Sequence, residues 1–219
     1  LLSVIYTFSP QINWWWYERY PPEIDKQIRN LLIKNHSFYN DLSVSDKELF
    51  RNRMALYIMA VEFMPKGWES IPEDIKGVIA ANAVQMTLKQ KDFLLPKFEQ
   101  IVVYTIPFPS PQFPKQLHAS EIFEEDGVII IGARPLMASI VQRDKTYDIA
   151  LHEYAKIFIL SYPDKIYPHF DNEIWNQLEE IGGLSQQKIK AFIALPDIDP
   201  VPVSIVHFFN FPEKFKAVL

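Results

Sequence analysis

Cysteine is absent from the 219-residue chain, so neither disulfides nor thiolate-bound metal can hold it together, and its redox compartment leaves no trace in its composition. Glycine is scarce, at 6 residues against 17 prolines, a balance that implies stiff, extended connections instead of pliant linkers. No apolar run reaches the roughly eighteen residues that a membrane-crossing helix needs. Positive charge is not in excess either. The 22 Lys and Arg against 27 Asp and Glu leave a net charge of −5, with no basic stripe, which excludes nucleic acid as an expected partner. What is present is ordinary for a soluble globular protein: 48% apolar and 22% charged residues, in a length that suits one large domain or two small ones.

The opening is unusual. The chain starts at Leu1, not Met, with apolar Leu1-Leu2-Ser3-Val4-Ile5-Tyr6, and soon reaches Trp14-Trp15-Trp16-Tyr17. Such a start either packs on the domain or follows a signal or anchor segment upstream of Leu1. The tryptophan run suits a membrane interface, and it equally suits a hydrophobic groove or the underside of a core. Residues 1–22 thus read as an aromatic arm ending at Pro21-Pro22.

Beyond the arm, apolar residues recur at helical spacing from Glu23 to about Phe38. Ser45 and Glu48 have capping-box spacing and open a helix that the apolar pattern carries to about Met64. Pro72, followed by Glu73-Asp74, opens a third helix whose body, Val78 to Val84, is small and apolar, hence buried. The period then changes. Ile101–Tyr104 and Val128–Ile131 read as strands, and the four prolines between 107 and 114 exclude both a helix and a central strand there. Helices follow over 134–142, from Thr146 to Leu160, over 171–181 and 185–194 on either side of Gly182-Gly183, and over 201–210 before Pro212. The expected class is α+β: one domain over 23–219, with a helical half over 23–95, a β segment and a chemistry-bearing helix over 96–160, and C-terminal helices over 161–219.

One local pattern carries chemistry. His152-Glu153-Tyr154-Ala155-Lys156 lies on the helix from 146 to 160. In the zinc-peptidase motif H-E-x-x-H, two imidazoles one turn apart bind a metal and the intervening Glu serves as general base. Here the first His and the Glu are present, and Lys156 stands where the second His is required. A His-Glu pair on a helix is common by chance, and the order of features around this one is what gives it meaning.

The segment Lys76–Met86, the strand Ile101–Tyr104 with Pro107 and Phe108, the strand Gly127–Ile131, the helix Ile149–Ala155 and the ending Phe208–Phe215 are colinear with features of the Mlc titration factor-like family of zincin metallopeptidases. The chain resembles that family over roughly residues 40–219. The resemblance implies a mainly helical zincin-like metallopeptidase domain with a small β-sheet. Residue by residue, it puts His152 at the first zinc ligand, Glu153 at the general base, Asp199 at the third ligand (a Glu in the family) and Phe192 at the position of an oxyanion-stabilising Tyr. Lysine at neutral pH has three donors and no lone pair, so Lys156 cannot ligate. Asp199 is one methylene short, and Phe192 has no hydroxyl to donate.

The expectation is a vestigial site with no cofactor, in which the Lys156 ammonium replaces the metal near His152, Glu153 and Asp199. Two alternatives stay open: Lys156 as a solvated helix residue, and a working zinc site with an altered ligand set that recruits His169 or His207. The resemblance implies a pseudopeptidase acting through a protein or peptide partner, since family members are implicated in titrating a transcriptional repressor, with an atypical zinc-dependent peptidase as the alternative. A cytoplasmic location is expected, with a membrane tether at the N-terminus left open.

Overall fold

The helical spacing after Pro22 becomes two helices and not one. In the computed structural model, which describes residues 13–110, 113–142 and 145–219, residues 13–19 form α1, and α2 (Lys26–Asn35) and α3 (Ser37–Asp41) follow, broken at His36. The break has a local cause. The His36 N–H closes α2 onto the Leu32 carbonyl, while its Nδ1 accepts from the Tyr39 N–H at 3.2 Å, so one residue satisfies the end of one helix and the start of the next.

The next helix, α4 (Val44–Ala60), is capped by Ser43, which accepts from the Asp46 N–H at 3.1 Å, two residues before the expected capping box. It also stops early. Residues 62–64, expected to be helical, belong to strand β1 (Glu62–Lys66). Pro65 would break another helical turn, whereas on an edge strand its missing donor costs nothing. β1 is such an edge, pairing in parallel with β2 (Gln100–Tyr104).

Between them runs the crossover helix α5 (Glu73–Thr87), which is buried at every position from Gly77 to Thr87. Its small residues let neighbours approach closely: a Cβ at Gly77 would lie 2.7 Å from the Ile28 side chain of α2. The pair β3 (Phe108–Pro109) and β4 (Leu117–His118) is an antiparallel two-residue ladder, all that the proline run allows; Pro111 and Gln112 lie outside the described residues. β5 (Ser120–Phe123), not anticipated from the sequence, turns back through Glu124–Gly127 to pair antiparallel with β6 (Val128–Gly132), which lies parallel to β2. The mixed sheet therefore has the order β1-β2-β6-β5, and β5 is its second edge.

Gly127 holds that last turn with φ +64°, and a Cβ there would collide with the Lys97 carbonyl oxygen. Gly127→Ala is therefore expected to destabilise the protein by more than about 1 kcal/mol in urea unfolding, since both a left-handed φ and a backbone clash must be relieved.

Ile101, Val103, Ile129 and Ile131 turn one sheet face into the core cluster, where they meet the apolar residues of α5 and of α7 (Ile149–Ser161). α6 (Ala133–Val141) precedes α7. The C-terminal helices are α8 (Ile174–Gly182), closed by left-handed Gly183 at φ 73°, α9 (Gln186–Ile193), α10 (Pro200–Asn210) and α11 (Pro212–Val218). The last was not expected; Pro212 ends α10 but is well suited to begin a new helix. The result is a mainly helical fold around a small mixed sheet.

Candidate functional site

α7 is a central helix and not an amphipathic one: every residue from Ile149 to Ala155 is buried, as is Ile157. Its start is set by Asp148, whose carboxylate accepts from the Leu151 N–H at 3.1 Å. Its middle is tied to α4 by a hydroxyl pair, Tyr57 to Tyr154 at 2.6 Å, both rings fully buried. Burying His152 and Glu153 on such a helix demands partners for both.

Both have them. The His152 Nδ1 shares a hydrogen bond of 2.8 Å with the Tyr147 hydroxyl. Burial pushes His152 down to about 4, so its ring is neutral at pH 7. Burial, together with the nearby Asp148 and Glu153 charges, pushes the Tyr147 hydroxyl well above its ordinary value, so it keeps its proton. The Glu153 carboxylate is 0% exposed and both its oxygens are committed: Oε1 accepts from Ser120 Oγ at 2.8 Å, and Oε2 accepts from Lys156 Nζ at 2.9 Å. Burial alone would raise this carboxyl; the Lys156 ammonium, the adjacent His152 and the two hydrogen bonds reverse that and hold it below its ordinary value. Glu153 is a buried, paired anion.

Above this pair opens a cleft of about 590 Å³. It is lined by Ile122 and Phe123 of β5 and the acidic turn Glu124–Asp126, by His152 and Lys156 of α7, and by Leu195, Asp197 and Asp199 from the segment before α10. His152, Lys156 and Asp199 are thus gathered at one cleft. Asp199, however, does not pair with Lys156: its carboxylate caps α10 by accepting from the Val201 N–H at 2.8 Å. The expected cluster of Lys156 with two carboxylates is in the structure a pair with Glu153 alone. Phe192 is half-buried against the core and does not line the cleft.

Neither alternative ligand joins the cleft. His169 is exposed and lies away from it. His207 is buried, edge-on to Tyr147 with ring centroids 6.5 Å apart, and it packs against Gly182 so closely that a Cβ there would collide with its ring. Burial pushes His207, too, down to about 4. Among the described residues no group of three or more His, Asp and Glu side chains is placed to hold a metal ion.

Zinc is the metal that the H-E-x-x-H pattern calls for, and this donor set does not fit it. Where that pattern would need a second imidazole lone pair, the side chain is an ammonium already bonded to the Glu153 carboxylate. Two residues of the site escaped the sequence reading. Tyr147 lies five residues before His152 and could have been noticed as a polar ring beside the helix start. Ser120 had no local signal, because it stands 33 positions from Glu153 on the unanticipated strand β5.

A family model described as glucose-regulated metallo-peptidase M90 matches residues 12–158. The match takes in β5 and the whole His152–Lys156 segment, begins earlier than the resemblance read from the sequence, and ends before Phe192 and Asp199. No curated protein matches the chain.

Proposed function

The chain belongs to the glucose-regulated metallopeptidase M90 family, and on that basis we propose that it is a pseudopeptidase, a member that keeps the peptidase cleft for binding a protein or peptide and has given up zinc hydrolysis. The observation that carries this reading is the Glu153–Lys156 pair. A zinc-peptidase glutamate must face a metal-bound water with a free oxygen; here both oxygens are occupied and the carboxylate is fully buried. The ammonium also puts a positive charge where a divalent cation would have to sit. The cleft itself persists beside β5, and an extended segment laid along an edge strand is a common way for a sheet to take up a peptide.

The expected result is no stoichiometric zinc in protein purified without added metal, and no zinc-dependent cleavage of unfolded protein substrates. Emission spectroscopy that finds about one zinc per chain, lost in His152→Ala, overturns the proposal and leaves an atypical zinc-dependent peptidase standing. Lys156→His is the complementary test. It places two imidazoles one turn apart facing the cleft and is expected to raise zinc affinity above that of the parent.

A further inference from the structure

The geometry points to α1 as a membrane-interface anchor, a collar of aromatic rings that seats the N-terminal end of the protein at the headgroup level of a bilayer. Helical residues step by about 100°, so Trp14, Trp15, Trp16 and Tyr17 distribute around the whole circumference of α1 instead of forming a stripe on one side. Trp15, Trp16 and Tyr17 are exposed at 57%, 54% and 37%, Trp14 is half-buried, and Tyr20, at 54%, follows α1 directly. None of residues 13–20 joins the core cluster or the apolar side chains packed against it. A groove on a protein covers one face of a helix; a ring of aromatics on all faces matches a surrounding that is the same on all sides. A lipid interface provides that, because indole and phenol rings prefer the zone where apolar and wet surroundings meet.

The charge pattern has the same polarity. The first seventeen residues contain no Asp, Glu, Lys or Arg, and the first charges, Glu18 and Arg19, come directly after the collar, followed by Pro21-Pro22. Along the sequence, uncharged residues thus precede the rings and charged ones leading into the domain follow them. Glu18 is held within the helix, accepting from the Trp14 indole N–H at 2.9 Å, and the Trp16 and Tyr20 rings lie 4.6 Å apart. No helix among the described residues is long and apolar enough to cross a membrane; the placement proposed for α1 rests on its aromatic rings. With Glu18 and Arg19 offsetting each other and a net charge of −5 overall, attraction to anionic lipid is not needed, and neutral lipid should suffice.

The test uses the 219-residue chain with sucrose-loaded phosphatidylcholine vesicles, and compares it with the Trp14→Ala/Trp15→Ala/Trp16→Ala variant. The parent is expected to pellet with lipid, and the variant to need about tenfold more lipid for the same binding. In a Trp68→Phe/Trp175→Phe background the tryptophan emission comes from the collar alone, and it should move to the blue and be quenched by lipids brominated along the acyl chains. Because the collar lies outside the core, the variant should keep the parent's circular dichroism and urea midpoint. A parent that stays in the supernatant at lipid excess, or a variant that pellets as fully as the parent, overturns the anchor. So does lipid-independent dimerisation that the triple substitution abolishes, which would assign the collar to a second copy of the chain.

Discussion

Lys156→Ala is expected to cost about 3 kcal/mol of unfolding free energy, the range for removing one partner of a buried ion pair. The reason is the asymmetry of the pair. Glu153 is 0% exposed and Lys156 retains 27% of its side-chain exposure, so the carboxylate left behind stays dry and keeps only the Ser120 hydroxyl. A surface pair would give about 0–1 kcal/mol, and the difference is readable by urea unfolding near pH 7. Lys156→Met keeps the apolar stem and should behave like Lys156→Ala, because the charge and not the packing is missing. Adding Glu153→Gln should restore most of the loss, since a neutral amide needs no counterion and its oxygen can still accept from Ser120. Adding Asp199→Asn should restore nothing. Asp199 caps α10, and Asn caps about as well. A Lys156→Ala variant as stable as the parent would show the lysine to be a solvated helix residue, and the buried-pair account would fail with it.

Acid is expected to weaken the protein over a window set by two of its buried histidines, His152 and His207. His152 and His207 both fall from the ordinary 6.5 to about 4 in the folded state because burial disfavours their charged forms. Above pH 6.5 both are neutral, folded or unfolded, and nothing is lost. As the pH drops through 6.5 the unfolded chain takes up protons that the folded chain refuses, so stability falls, and the fall continues until the folded rings protonate near pH 4. Each ring contributes about 3 kcal/mol to this loss. Glu153 adds to it at the lower end: its depressed carboxyl contributes stability above its ordinary 4.5 that is lost as the pH falls through the folded value. Urea unfolding at several pH values between 7 and 4 should show the decline, and His207→Leu should flatten it by about half. A stability that stays level from pH 6.5 to 4.5 would contradict neutral, buried rings.

Much of this was legible in the chain, for reasons that can be named. The helical runs around Ile28, Phe50 and Val78 were visible because apolar spacing is a local property, and the strands Ile101–Tyr104 and Val128–Ile131 because β-branched runs are. The His152–Lys156 pattern was visible because a helix brings residues four apart to one face, whatever surrounds it. Where reading failed, the deciding energy came from a distance. Glu62–Lys66 lies at the end of a helical pattern and became a strand because β2 offered a parallel ladder and an edge where Pro65 could sit. Ser120–Phe123 is too short to announce itself, and it is a strand because β6 turns back upon it.

The same division runs through the site. Sequence by itself pointed to the family, and it placed His152, Glu153 and Lys156 together on one helix, since each depends only on residue identity and spacing. Tertiary structure alone decided which carboxylate that ammonium neutralises. Glu153 receives it, because the two share one helix face and Ser120 closes the remaining oxygen from the neighbouring strand. Asp199 does not, because the first turn of α10 presents free N–H groups that claim its carboxylate first. Tyr147 enters for the same kind of reason: a buried imidazole needs a polar partner, and the fold brings that hydroxyl to Nδ1. Residue spacing along one helix can be counted, but the partner of a buried charge is set by which surfaces the fold presses together.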